Sequence, residues 1–599
     1  MSQDDHALAA LLLDDVRRSA KALLRALNDG DSSALSRLSA THPRFYGKPA
    51  AGPFRLHHAQ LVLARESGFP SWPKLKAWFD VRDGGVEPLR IFRTEPDYFK
   101  DRAAGLKSMA LTGDRRARAE IVRHHPRFHN TGEDDAAWET LSDTDAELVL
   151  ARQHGADTFE QLTTTLSALE DEVAPRDPFR SAYQAIENVD RTALEAVISC
   201  DPAIVGAAGT NGNTLLNLAA GALVTPDLTR SPSERNTEEE LRLTLVKMLL
   251  DAGADPDFAN QKGWTPLHQA AYSDNIGLAQ LLIAAEATFD LEAYDAGGTP
   301  LTVALWWGHT EVAEYLALVG AVPDTLRVAS GLGAIEHMRR FFNPEGRLTE
   351  AADRFRAFHR PHAGFPPWKP TPGHRQEILD DAFSFAVRSE RLEAMAFLHA
   401  RGADPDGVAC NGTPLEWATI KGRRLAVRWL LDHGATVNKK ADFAYNKGQT
   451  ALHSAAFADR PDILTDLIAA GGDLSLRDDA YQSTPLGWAL HLNKPNVAAF
   501  LVKDHSIRCD VDDLIEAGAD VTVLVERLDA DPDQIAGFTG TGTPLRAAAV
   551  AGRADVVRLL LERGADPGGR SRAGMTARDL AVQAGHKEVV AALEGACDK

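Results

Sequence analysis

The chain has 599 residues, 44% hydrophobic and 25% charged, an ordinary composition for a soluble globular protein but too long for one hydrophobic core. Its 65 basic and 85 acidic residues leave a net charge of −20, which on average repels phosphate backbones. The charge is uneven: residues 1–130 carry 22 Lys and Arg against 15 Asp and Glu, and the rest carries 43 against 70. Four cysteines, Cys200, Cys410, Cys509 and Cys597, include no CxxC pair, so neither a disulfide framework nor a zinc knuckle is indicated. The opening "MSQDDHALAALLLDDVRRSAKALL" places acids before its apolar run, unlike a secretory leader. No apolar run approaches the length of a membrane span, and a reducing cytoplasm is the expected compartment.

Along the chain, the first elements are helices that recur in tandem. "GD" at Gly30 returns at Gly113, and "HPRF" at His42 returns at His125, both 83 residues on. "AQLVLARESGFPSWPKL" from Ala59 returns as "AELVLARQHGADTFEQL" from Ala146, 87 residues on. Two helical modules are therefore expected at 1–86 and 87–180, with a partial echo from Ala185. The turn near Pro70 and Pro73 loosely resembles a DNA-binding helix-turn-helix. A structural cap for the remainder of the chain is the favoured reading, and nucleic-acid binding by the basic modules is the alternative.

A second period then takes over. "GWTPLHQAAYSDNIGLAQLLIAA" begins at Gly263, "GGTPLTVALWWGHTEVAEYLALVGA" at Gly297 and "NGTPLEWATIKGRRLAVRWLLDHGA" at Asn411. Further copies start at Gly448, Gln482 and Thr541, and a variant carries Thr576. Their threonines lie at 265, 299, 413, 450, 484, 543 and 576, and the neighbouring spacings are 34, 37, 34 and 33 residues. Each copy has a physical logic. Thr caps a helix whose first position is Pro, where no amide donor is needed. Leu and alanines make this inner helix thin, Gly often ends it, and a second amphipathic helix covers it. One such hairpin cannot bury its own apolar side, so copies must stack.

These motifs resemble the ankyrin-repeat family, including bacterial members with inserts and leading segments of this kind. The resemblance implies an all-α ankyrin-repeat solenoid of stacked helix-turn-helix units, preceded by the two tandem helical modules. Block 1 spans 181–348, with a polar loop near 221–236 and Asn236 as the expected cap of the next helix. Block 2 spans 376–599, with a C-terminal cap and a degenerate repeat near 503–540. Between them, "FHRPHAGFPPWKPTPGH" marks a Pro- and aromatic-rich connector at 349–375.

No phosphate loop, GxSxG or HExxH occurs, so no catalytic residue and no cofactor is expected. His359, His362 and His374 in the connector could in principle hold zinc, but loop histidines among prolines more often bond backbone. His268 and His453 sit in TPLH-type motifs, where the family resemblance implies bonds to Thr and to neighbouring backbone. Trp306 and Trp307 lie off the stripe Leu301, Ala304, Leu305 and Gly308. A second stripe through Val303 would make them core. In the family, the two positions after the small-residue pair line the face that grips partners. Here they hold Tyr272, Trp306–Trp307, Ile420, Lys421, Phe457 and His491, with Trp264 in the preceding turn. Trp417 and Trp488 fall one step earlier, where core packing is expected. The function implied is non-catalytic binding of a protein or peptide, with the acidic back half favouring a basic partner. An enzyme or small-molecule binder, with the connector as a lid, is the remaining alternative.

Overall fold

The computed structural model describes residues 13–42, 45, 54–66, 72, 75, 88–111, 113–128, 131–132, 135–169, 177–223, 232–293, 298–353, 371–408, 412–443, 446–503, 510–536, 543–571 and 574–597. Among the described residues the fold is all-α apart from two short antiparallel hairpins, Ala208–Gly209 with Asn213–Thr214 and Ala441–Phe443 with Asn446–Gln449. The chain divides into two compact units, one comprising most of 1–328 and the other most of 329–599. That division falls ahead of the block boundary expected at 348.

The first unit opens with the helices Leu13–Asn28, Ser32–Thr41 and Leu56–Glu66, which close around Leu27, Leu38 and Val62. Asp31 caps Ser32–Thr41 by accepting from the Ala34 amide, and Asp114 caps Arg115–His124 by accepting from Ala117. Gly30 and Gly113 precede these caps with φ of +78° and +90°, a conformation glycine adopts cheaply. The same local device thus occurs at both of the matched "GD" positions. Pro96–Leu111, Arg115–His124, Asp143–Gln153 and Phe159–Leu169 then enclose Phe99, Phe128 and Trp138.

Beyond residue 177, inner helices stack in succession: Pro178–Glu187, Leu215–Gly221, Pro266–Ser273 and Pro300–Trp306. Their partners Pro232–Asp251, Ile276–Ala284 and Thr310–Val319 form an outer row. The helix Pro232–Asp251 begins earlier than expected, so Asn236 lies inside it and caps nothing. Pro232 explains the early start, because proline suits a first helical turn.

In the second unit the inner row runs Arg375–Arg388, Pro414–Ile420, Ala451–Phe457, Pro485–His491, Val511–Glu516, Pro544–Val550 and Ala577–Ala584. The weak repeat near 503–540 forms the hairpin Val511–Glu516 and Val521–Ala530.

The caps set the repeat. The hydroxyls of Thr265, Thr299, Thr413, Thr484 and Thr576 each accept from the amide three residues on. His268 Nδ1 sits 2.7 Å from Thr265 Oγ1, and its Nε2 lies 2.9 Å from the Gly298 carbonyl in the following turn. His453 repeats this with Thr450 and, at 3.0 Å, the Ser483 carbonyl. Burial lowers the two imidazoles to about 3 and about 4, so each is neutral and links its own cap to the next repeat. These histidines are structural.

Candidate functional site

The site grows from the loop that enters the second helical module. Arg90 pairs with the hairpin of the first repeat: its amide donates to the Ala208 carbonyl at 2.9 Å, and its carbonyl accepts from Thr210 at 3.2 Å. Two residues on, Phe92 packs on Tyr183 with centroids 4.7 Å apart and on Phe179 at 6.2 Å. Gly209 lies beneath them, and a Cβ there would stand 2.8 Å from both Phe179 and Phe92. Only glycine lets the strand come this close.

The module is also clamped from its far side. Arg116 donates to the carbonyls of Lys262 and Glu292, the latter at 3.0 Å, in two successive repeat turns. His154 Nε2 lies 2.9 Å from Thr210 Oγ1, and burial lowers this imidazole to about 4, so it is neutral. Gln261 and Gln153 both donate to Glu120.

This attachment sets the segment from Phe92 to Arg102 beside the inner helices, and the two line an open cavity of about 460 Å³. One wall is Phe92, Arg93, Tyr98 and Arg102, and another is Tyr183 and Glu187 on the first inner helix. Asn217, Gln269 and Tyr272 come from the next two inner helices, and Asn211, Asn213, Asn260, Lys262 and Trp264 from the turns. The size falls within the range of small-ligand pockets, about 300–1,000 Å³. Arg93 Nε donates to Tyr183 Oη at 3.2 Å, and the guanidinium carbons of Arg93 and Arg102 lie 5.1 and 5.3 Å from the Tyr98 ring centre. Burial pushes the Tyr98 and Tyr183 hydroxyls up, so both phenols stay protonated.

The turn residues hold one another in place. Asn260 Oδ1 accepts from the Trp264 amide at 3.0 Å, and Asn260 Nδ2 donates to Asn213 Oδ1 at 2.9 Å. Trp264 Nε1 donates to Gln269 Oε1 at 2.9 Å. From there an aromatic row runs along the inner helices. Trp264 meets Tyr272 edge-on at 6.2 Å, and Tyr272 meets Trp307 edge-on at 5.5 Å.

The residues singled out from the sequence separate sharply. Trp264 and Tyr272 line the cavity, and half-buried Trp307 extends the row. Trp306 is 1% exposed and fills the core, which corrects its expected role as a partner contact. The whole of Pro300–Trp306 is buried, so the helix has no solvent side on which Trp306 could emerge. Trp417 and Trp488 are buried as expected, at 1% and 6% exposure. Ile420 and Lys421 are half-buried, and Phe457 and His491 are exposed. His374 caps Arg375–Arg388 by accepting from the Glu377 amide, while His359, His362 and most of the connector, 354–370, lie outside the described residues. Arg93 and Arg102 escaped sequence reasoning because no motif marks them and only the fold brings residue 90 to residue 209.

Among the described residues, one group of carboxylates has ligand oxygens within 4.8 Å of one another: Asp510, Asp512 and Asp513. Asp510 is paired with Arg477, and Asp513 accepts from Thr484. Burial, reinforced by the neighbouring aspartates, raises Asp512 to about 8, and burial raises Asp513 to about 6. A protonated Asp512 relieves the crowding at neutral pH.

Residues 238–325, 447–479 and 545–594 match ankyrin-repeat families. The chicken nuclear factor NF-kappa-B p105 subunit is 41% identical over 83 residues, 14% of this chain and 8% of the relative. The mouse protein fem-1 homolog A-like is 38% identical over 72 residues, covering 12% and 11%. The human ankyrin repeat and SOCS box protein 3 is 30% identical over 88 residues, covering 14% and 17%. The likeness thus spans less than a fifth of each of these relatives, which are vertebrate proteins. Among the described residues no helix is long and apolar enough to cross a membrane.

Proposed function

We propose that this chain, which carries ankyrin repeats, is a non-catalytic scaffold that holds a segment of a protein partner against the inner helices of its first unit. The observation that supports this most directly is the aromatic row Trp264, Tyr272 and Trp307 leading into the cavity under Phe92 and Arg102. Aromatic side chains make good anchors, since they bury much area with few rotors. The second helical module then serves as a cap that also walls the groove, and the two leading modules are read as tandem duplicates.

Several basic residues of that module are engaged within the protein. Arg116 holds repeat carbonyls, Arg127 pairs with Asp145, and Arg152 donates to the His124 carbonyl. This argues against a front end built to neutralise DNA phosphates. A small-molecule ligand is the second reading, favoured by the size of the cavity.

Affinity capture from lysate with the full chain and its Tyr272→Ala and Trp307→Ala variants tests the proposal. A defined partner set lost in both variants is expected. An identical set in all three would contradict a binding role for this groove.

A further inference from the structure

We infer that the cavity beneath Phe92–Arg102 receives a carboxylate side chain, Asp or Glu, of a bound peptide segment. This rests on the scaffold reading above and adds the chemistry of the occupant.

Three cations, Arg93, Arg102 and Lys262, line the cavity against one carboxylate, Glu187, with Glu95 close to Arg93 and Tyr98. The local charge is therefore positive in a chain whose net charge is −20. The decisive group is Arg102. Its guanidinium rests on the Tyr98 ring in the cavity wall. The planar guanidinium fork matches a carboxylate better than any other common side chain.

The remaining surroundings suit a peptide more than a free anion. Asn213, Asn217 and Gln269 line the same cavity, each held in place by hydrogen bonds within the repeats. The row through Tyr272 and Trp307 continues along the groove beyond the cavity, where flanking side chains of an extended segment would lie. The general acidity of the chain had suggested a basic partner; in this cavity the preference is reversed.

Selection of random twelve-residue peptides displayed on phage, against the immobilised full chain, tests the inference. Enriched peptides should share an acidic residue. Changing that residue to its amide should weaken binding about ten- to a hundredfold, as should Arg102→Gln in the protein. In Arg102→Gln the amide peptide should lose little more, because the two changes remove the same contact. Arg102→Lys should retain part of the affinity, and 0.5 M salt should weaken the wild-type complex. Circular dichroism and thermal melting confirm that the variants fold. Enriched peptides without acids, bound equally by Arg102→Gln, would overturn the inference and leave the scaffold standing. Selected peptides indifferent to Tyr272→Ala and Trp307→Ala would remove both. Millimolar free glutarate matching the peptide's protection against melting would overturn the peptide assignment.

Discussion

Equivalent repeat positions lead different lives in the two units. In the first, Tyr272 and Trp307 are half-buried, touch each other edge-on and adjoin a walled cavity. In the second, Phe457, Leu492 and Val550 stand 43%, 37% and 54% exposed. The repeat fixes where these side chains emerge, but what they meet depends on neighbours far away in sequence. In the first unit that neighbour is the segment through Arg90, admitted by Gly209. The repeat is thus a presenting device, and the added wall turns one stretch of it into a pocket.

The contrast can be broken at several points. The largest effect is expected from Trp306→Ala, which should cost about 3–5 kcal/mol in urea unfolding, while Trp307→Ala should cost far less. Equal losses would mean that the two tryptophans share one environment. Next, Gly209→Ala drives a methyl into Phe92 and Phe179 and should cost about 1–3 kcal/mol, loosening the wall. Limited proteolysis should then cut nearer residue 92, and an unchanged digest would deny that this glycine holds the segment.

A smaller effect concerns the histidine links. His453 titrates near 4 in the folded chain, below its ordinary value of 6.5. Its stabilising contribution is full above 6.5 and is lost as pH falls towards 4, because the unfolded chain takes up the proton first. His453→Gln should therefore lower the melting temperature at pH 7.5, by the loss of about 1 kcal/mol, and the gap should narrow towards pH 4.5. A gap that widens would mean the imidazole is charged in the fold. The smallest effect is Phe457→Ala, expected to stay within about 0.5 kcal/mol of wild type, since its ring is 43% exposed beneath Lys494.

Much of the fold was legible because its signals are local. Thr265 and Thr413 announce their caps by the Pro that comes next, and His268 and His453 announce their links by the TPLH-like frame. Trp417 and Trp488 reveal their burial by standing next to the small pair. Trp306 did not, because periodicity reports a helix with one wet side and Pro300–Trp306 has none. The cavity was illegible for another reason. Its strongest chemistry, Arg93 and Arg102, belongs to a module whose own sequence pattern speaks only of helices. The hydrogen bonds that enter the wall itself run through backbone at Arg90, Ala208 and Thr210, and the side-chain bonds of Arg116, Glu120 and His154 to the repeats follow no motif.

The central claim is that partners enter beside Tyr272 in the first unit. Placing benzoylphenylalanine at position 272 and, separately, at position 492, then irradiating the full chain in lysate, tests it most directly. A partner attached from position 272 and absent from 492 is the predicted result. Attachment from 492 alone would contradict it.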